Sequence, residues 1–352
     1  MIYLLLFNIL LTIAIICSNY RKCLSANKYV NKDILHLKIK KNYDDTFFYV
    51  FVILLILISV FKDGDSFYDN EEYVDSIKYG SERFEISWEY ICQFWAFCGF
   101  PKTGVFFTYA TIGIITKSYV IKKTYKWYWL CMAVYCSHFY LLQDCVQIRV
   151  GAASGCLLLA IFFWCNKKKT HWLLLTLLSS VLQYSFVIGF IIPFIDKISL
   201  SSRIWRYVLI GSYIFYFLSL DISFVFSYIG IDIFSSYYSH YLLTDKKVEV
   251  LNMTQIVFTV ISFYLLSLKR FRASLDYFSS ISLKLFILSL CFLPLLANIP
   301  VFAYRGSQIF GIVEIFIIPI LMSIKNKIQY LWVLIVFMYY TLNTQILRCI
   351  IL

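Results

Sequence analysis

The chain is short of charge. Only 15% of its 352 residues are Asp, Glu, Lys or Arg, while 61% are hydrophobic. A soluble domain cannot hide that much apolar surface. The sequence has no Gly-rich phosphate loop, no GKS/T, no HExxH and no GxSxG, which argues against nucleotide-driven transport and leaves the familiar hydrolase motifs unrepresented. It has no CxxC and no paired Cys/His zinc spacing, so neither a metal nor another cofactor is implied. Most of the 11 cysteines lie in apolar spans and act as small hydrophobes. Cys92 and Cys98 share one segment and could be oxidised together, although so short a loop is easily strained. Of the 4 histidines, His36 and His171 lie among basic residues, His138 falls mid-span and His240 lies in a loop. None has a triad-like setting. No internal repeat and no low-complexity tract is visible.

What is present is a series of apolar runs of about 15–22 residues, the length of membrane helices rather than of barrel strands. The fold class is all-α: a polytopic transmembrane helical bundle of about 10–12 membrane segments, residues 1–352 forming a single integral membrane domain. The spans fall at 1–18, 47–61, 103–121, 127–145, 150–165, 171–195, 204–220, 254–268, 282–299, 305–322 and 329–350. The first lacks a basic leader and precedes Arg21 and Lys22, so it is expected as a membrane helix rather than a cleaved signal.

The net charge of +12 is not a nucleic-acid signal, because its distribution carries the information. Basic residues cluster at 19–45, 122–126, 167–169, 269–272 and 325–327, which the positive-inside rule places in the cytoplasm. The loop 62–101 is acidic and the loop 221–253 is aromatic, and both are expected outside. Segment 171–195 breaks this parity. If it crossed once, Lys197, Arg203 and Arg206 would lie outside and every later loop would invert. A re-entrant helical hairpin turning at Gln183-Tyr184-Ser185, the polar interruption in that segment, restores the pattern; the alternative is one ordinary helix with a weak charge signal at 197–206. Non-helical backbone at membrane depth needs protein or a water-filled cavity around it, so the turn implies a cavity.

In this topology Arg149 and Arg305 stand at the outer ends of their helices. The planar fork of arginine suits a phosphate or a carboxylate, and two such residues on a side poor in bases could clamp a diphosphate. Snorkelling to headgroups, or pairing of Arg149 with Asp144, is the structural alternative. Glu314 follows Arg305 within one expected helix, roughly 13 Å below the interface at about 1.5 Å per residue. A carboxylate at that depth faces the bundle interior or a cavity. In the outer acidic loop, Asp69 and Tyr73, then Glu89 at the head of an apolar run, place carboxylates beside rings. That composition suits sugar, and paired carboxylates perform glycosyl transfer.

These motifs, in this order, resemble the EpsG/Wzy-type O-antigen and exopolysaccharide polymerases. The shared features are Asp-x3-Tyr at Asp69 and Tyr73, and a Glu opening a hydrophobic stretch at Glu89. A helix then begins near R-Q-x-A and ends in lysines, here Arg149-Val150-Gly151-Ala152 to Lys167–Lys169. An H-x-S element follows, and a late helix runs from Arg305 to Pro319. Two departures stand out: Val150 replaces the Gln, although Gln147 precedes the arginine, and Gln183 replaces the His before Ser185. A hydrogen-bonding role for that position survives, whereas a role as base does not. The resemblance implies a bacterial inner-membrane enzyme with its active site facing the periplasm. Its donor and acceptor would be undecaprenyl-diphosphate-linked oligosaccharides, and a chain-length co-polymerase would be its partner. Glu89, Asp69, Arg149 and Arg305 would be catalytic; Tyr73, Gln147, Gln183, Ser185 and Glu314 would contact substrate. A flippase for the same lipid-linked unit, or an acyltransferase modifying the glycan, are the rival readings. The first would spread charge through the bundle, and the second would need a His within a span, for which His138 is the candidate.

Overall fold

Backbone groups in lipid have no water to bond, so a lipid-embedded chain must satisfy them internally. Accordingly, every regular element among the described residues is helical. The computed structural model describes residues 34–62, 68–80, 84–125, 128–200, 203–220 and 248–322. The expected spans 1–18 and 329–350, and the aromatic loop as far as residue 247, lie outside them. The chain divides into two compact units, Met1–Gly189 with Leu321–Leu352, and Phe190–Ile320.

The first unit contains α1 (Ile34–Val60), α2 (Tyr68–Tyr79), α3 (Ile86–Phe97), α4 (Pro101–Thr124) and α5 (Tyr128–Val134). The chain then widens into a π-helical segment, Tyr135–Val146, before α6 (Ile148–Cys165) and α7 (Lys169–Leu182). Of these, α4 and α6 are long and apolar enough to cross a membrane, and Asp45–Val60 of α1 is a shorter apolar stretch. Polar groups such as Lys117, Gln143, Asp144 and Ser154 are buried inside this unit, while Leu174, Leu177 and Val181 of α7 are exposed. That inside-out distribution suits a lipid surround.

Turn chemistry sets the hairpins. Gly99, at φ +81°, ends α3. Phe100 N–H bonds the Trp95 carbonyl and Gly99 N–H bonds that of Ala96, the paired closure of a Schellman motif. Pro101 then opens α4 at a position where its missing N–H is not needed. Trp95 folds back over Gly104 and its indole donates to Thr108 at 2.8 Å. The α6–α7 turn closes the same way, with Lys167 at φ 61° and Lys168 N–H on the Phe163 carbonyl. α4 and α6 approach at glycine. A Cβ on Gly155 would lie 2.8 Å from the Gly113 carbonyl oxygen, and one on Gly113 would lie 3.0 Å from that of Gly151. Small residues of this kind let membrane helices approach backbone to backbone.

The expected hairpin has a geometric counterpart. α7 stops at Leu182, Gln183 is extended (φ −155°, ψ 113°), and a 3₁₀ segment runs over Tyr184–Ile191. A Cβ on Gly189 would lie 3.2 Å from Thr176 Cγ2. An unbroken helix from 176 to 189 would part these positions by about 20 Å, so the chain doubles back at Gln183.

The second unit contains α8 (Ile192–Lys197), α9 (Ile204–Phe217), α10 (Met253–Ser267), α11 (Lys269–Ser274), α12 (Tyr277–Leu295), α13 (Pro300–Gly311) and α14 (Glu314–Met322). Asn252 and Asp276 cap α10 and α12 by accepting from Gln255 N–H and Ser279 N–H. α12 is long and apolar enough to span. One continuous helix from Arg305 to Pro319 is not what forms. α13 and α14 are bent by 50° at a break between Gly311 and Glu314. Glu314 therefore opens a helix rather than lying deep in one, and a carboxylate at a helix N-terminus is favoured by the macrodipole.

Candidate functional site

The site assembles at the start of α6. Gln147 makes the turn between the π-helical segment and α6, its N–H reaching back to the Leu142 carbonyl at 2.9 Å. Arg149 stands in the first helical turn beyond it. Its Nη1 is ion-paired to Glu85 Oε2, with the two side chains 14% and 5% exposed. Glu85 precedes α3 in extended backbone (φ −65°, ψ 153°), so its carboxylate turns inward from the loop between α2 and α3.

Aromatic rings enclose the pair. The guanidinium carbon lies 4.0 Å from the centroid of Phe84 and 5.8 Å from that of Tyr73. Tyr73 packs on Trp88 at 5.2 Å, and Trp88 on Tyr109 at 5.5 Å. The Trp88 indole donates to Ser76 Oγ at 2.7 Å, which fixes α2 against α3. Tyr73, Trp88 and Tyr109 are all buried. These rings are therefore a scaffold that sets the position of the guanidinium, not open platforms for a sugar. Such a ring-lined, low-dielectric setting strengthens any electrostatic contact the arginine makes.

The hairpin turn meets the same end of the unit. Ser87 Oγ donates to the Val181 carbonyl at 2.7 Å, and Ile86 N–H reaches Tyr184 Oη at 3.4 Å. Ser179 Oγ donates to the Ala153 carbonyl at 2.9 Å. Since α6 and α7 are antiparallel neighbours, one turn further places Gln183 level with Arg149. Gln183 is buried. Its Oε1, Gln147 Oε1 and Arg149 Nε are buried polar atoms with no hydrogen-bond partner among the described residues.

The residues expected from the sequence therefore divide. Arg149, Tyr73, Gln147 and Gln183 gather at one end of the first unit, with Ser185 half-buried in the turn beyond Gln183. Glu89 stands one turn along α3 from Glu85, exposed, and accepts from Gln93 Nε2 at 3.1 Å. Asp69 is on α2, and its side chain lies outside the described residues. Arg305 is exposed on α13 and Glu314 is buried at the head of α14, both in the second unit. Asp144 is not the partner of Arg149: it is bound by Lys117 at 2.7 Å.

Sequence reasoning missed Glu85 as a partner because it was one of nine acids in the loop 62–101 with no distinguishing neighbour. Lys117 went unremarked among the residues of an apolar span. Outside the spans, burial pushes the Cys92 thiol up to about 11, and both Cys92 and Cys98 are free thiols. No three metal-ligating side chains gather among the described residues.

No curated protein and no solved structure gives a significant match to the chain. The EpsG family model matches residues 45–347. That range includes Asp69, Tyr73, Glu85, Glu89, Arg149, Gln183 and Arg305, and it covers most of the sequence. The chain belongs to the EpsG family and is a membrane protein of the polysaccharide-polymerase type.

Proposed function

We propose that the protein joins undecaprenyl-diphosphate-linked oligosaccharide repeat units into polysaccharide at the outer face of a bacterial inner membrane. The observation that carries this reading is the fixed guanidinium of Arg149, held at the head of a membrane helix by Glu85 and a wall of rings. The acceptor's sugar hydroxyl attacks the anomeric carbon of the donor chain. The bond from that carbon to the diphosphate breaks, and undecaprenyl diphosphate leaves with the electron pair. Negative charge grows on the departing oxygen, and preorganised cations act where charge develops. Glu85 holds one terminal nitrogen of Arg149, Tyr73 is a further hydrogen-bond partner of the guanidinium, and the remaining positive charge is what the leaving diphosphate meets.

The hydroxyl's proton passes to a carboxylate. Glu89 is the first choice because it is exposed to an incoming sugar and stands one turn from Glu85. Asp69 is the second, on the sequence pattern alone. Gln183 and Gln147 offer unpaired amide oxygens to sugar hydroxyls, and Ser185 and Tyr73 line the same end. Arg305 and Glu314 are proposed as substrate contacts of the second unit, on sequence grounds. The anomeric diphosphate bond supplies the driving force, so no nucleotide is called for. A separate chain-length co-polymerase is the expected partner.

The test is reconstitution. The purified chain in lipid nanodiscs, given undecaprenyl-diphosphate-linked repeat unit alone, should yield multiples of that unit and release undecaprenyl diphosphate. Movement of the unit across a vesicle membrane with no product longer than one repeat would overturn the reading in favour of a flippase.

A further inference from the structure

A second charged group lies deeper in the first unit. Lys117, on α4, is fully buried and donates to both carboxylate oxygens of Asp144, at 2.9 and 2.7 Å. The Tyr135 hydroxyl donates to the same carboxylate at 2.7 Å. Lys117 and Asp144 side chains are 0% and 1% exposed. Two buried ions held in this way add little net stability over apolar residues of the same volume. Breaking the pair would leave a buried charge without its counter-ion, which disfavours arrangements that separate Lys117 from Asp144.

The carboxylate belongs to the end of the π-helical segment. Asp144 lies two residues before its last residue, and the wider turns of a π-helix frequently mark functional sites. Two donors at the end of α1 fix the backbone here. Ser59 Oγ donates to the Asp144 carbonyl and Lys62 Nζ to the Cys145 carbonyl. Gln143 Oε1 accepts from Ser154 Oγ at 2.8 Å. Gly113 of α4 and Gly151 of α6 form the slot that receives the carboxylate. A Cβ on Gly151 would stand 2.8 Å from Asp144 Oδ1, and one on Gly113 would be closer still. The first turn of α6 therefore rests directly on Asp144, and Arg149 belongs to that turn.

We infer that Lys117 and Asp144 are positioning residues for Arg149. Glu85 holds the tip of the arginine and the buried ion pair sets the place from which it projects. Neither touches substrate, and their effect on turnover passes through the guanidinium. This inference rests on the proposed role of Arg149 in polymerisation, but its geometric content can be read without activity.

The experiment uses the full-length protein in nanodiscs and the arginine reagent phenylglyoxal. Adduct formation at Arg149 is followed by mass spectrometry and normalised to that at exposed Arg305. In the wild type, Glu85 and Phe84 should keep Arg149 slow to react. Asp144→Asn leaves the Lys117 charge buried without a counter-ion and risks the fold, so the main variant is the double Lys117→Met/Asp144→Asn, which removes both charges at similar volume. It should keep its membrane abundance and melting temperature while Arg149 reacts several-fold faster. Turnover should fall, and the double variant combined with Arg149→Ala should be no less active than Arg149→Ala alone. An unchanged Arg149 reaction rate in the folded double variant would overturn the inference, as would losses that multiply on adding Arg149→Ala, because independent structural effects add in free energy. If Arg149→Ala alone leaves turnover intact, the polymerase reading fails, while the reaction rate at Arg149 still decides the positioning claim.

Discussion

Arg149 is ion-paired to Glu85, a residue 64 positions earlier in the chain, beneath the ring of Phe84. The pair joins the acidic segment 62–101 to the head of a membrane helix. It also explains why that helix begins on a guanidinium: the cation is enclosed, oriented and partly neutralised before any substrate arrives.

Removing the cation should affect chemistry more than folding. Arg149→Ala should lower polymerisation roughly 10²-fold or more, the scale of losing one donor aimed at developing charge. Arg149→Lys should recover little of it, because an ammonium does not reproduce the fork. Product ladders from reconstituted protein at matched amounts provide the check. Recovery to near wild type by lysine would show that charge alone suffices.

Glu85→Gln keeps the shape of the partner but removes its charge. The account expects a smaller loss of turnover than for Arg149→Ala, together with faster phenylglyoxal reaction at Arg149. Glu89→Gln should abolish turnover and leave the Arg149 reaction rate unchanged, since Glu89 is exposed and bonds Gln93 rather than Arg149. The same mass-spectrometric readout serves both variants.

The α4–α6 contact leaves no room for a side chain. Gly155→Leu should destabilise by about 1–3 kcal/mol through overpacking, because even a Cβ would stand 2.8 Å from the Gly113 carbonyl oxygen. Gly211→Ala provides the contrast, since nothing lies within 4 Å of a Cβ there. It should be neutral or stabilising by up to about 1 kcal/mol. Thermal denaturation of the purified variants measures both.

Two neighbouring cysteines should differ in reactivity. Burial raises the Cys92 thiol to about 11, so at neutral pH it is almost wholly the unreactive thiol. Its alkylation should accelerate steadily as pH rises toward that value, whereas exposed Cys98 should label first. Peptide mapping after timed maleimide exposure distinguishes the two.

Much of the fold was legible because lipid demands long apolar helices and because loop charge follows the membrane. The break at Gln183 was legible for the same reason, as a polar interruption in a segment that upset the charge parity. The bend between α13 and α14 was not. Ile312 and Val313 are apolar, so no hydropathy signal marks the point where the helix turns by 50°. Arg149 stood out as a cation on a side poor in bases. Glu85 and Lys117 did not, because what distinguishes them is a partner distant in sequence: Arg149 for the first and Asp144 for the second. Asp144 itself invited the wrong pairing, being close to Arg149 along the chain but bound by another helix.

The most direct test of the central claim is a gel of surface polysaccharide from the host that encodes this chain, comparing a deletion with the same strain carrying Arg149→Ala. The account predicts that both lose the ladder of repeats and retain single lipid-linked units. A full ladder from the Arg149→Ala strain, at normal membrane abundance of the protein, would contradict it.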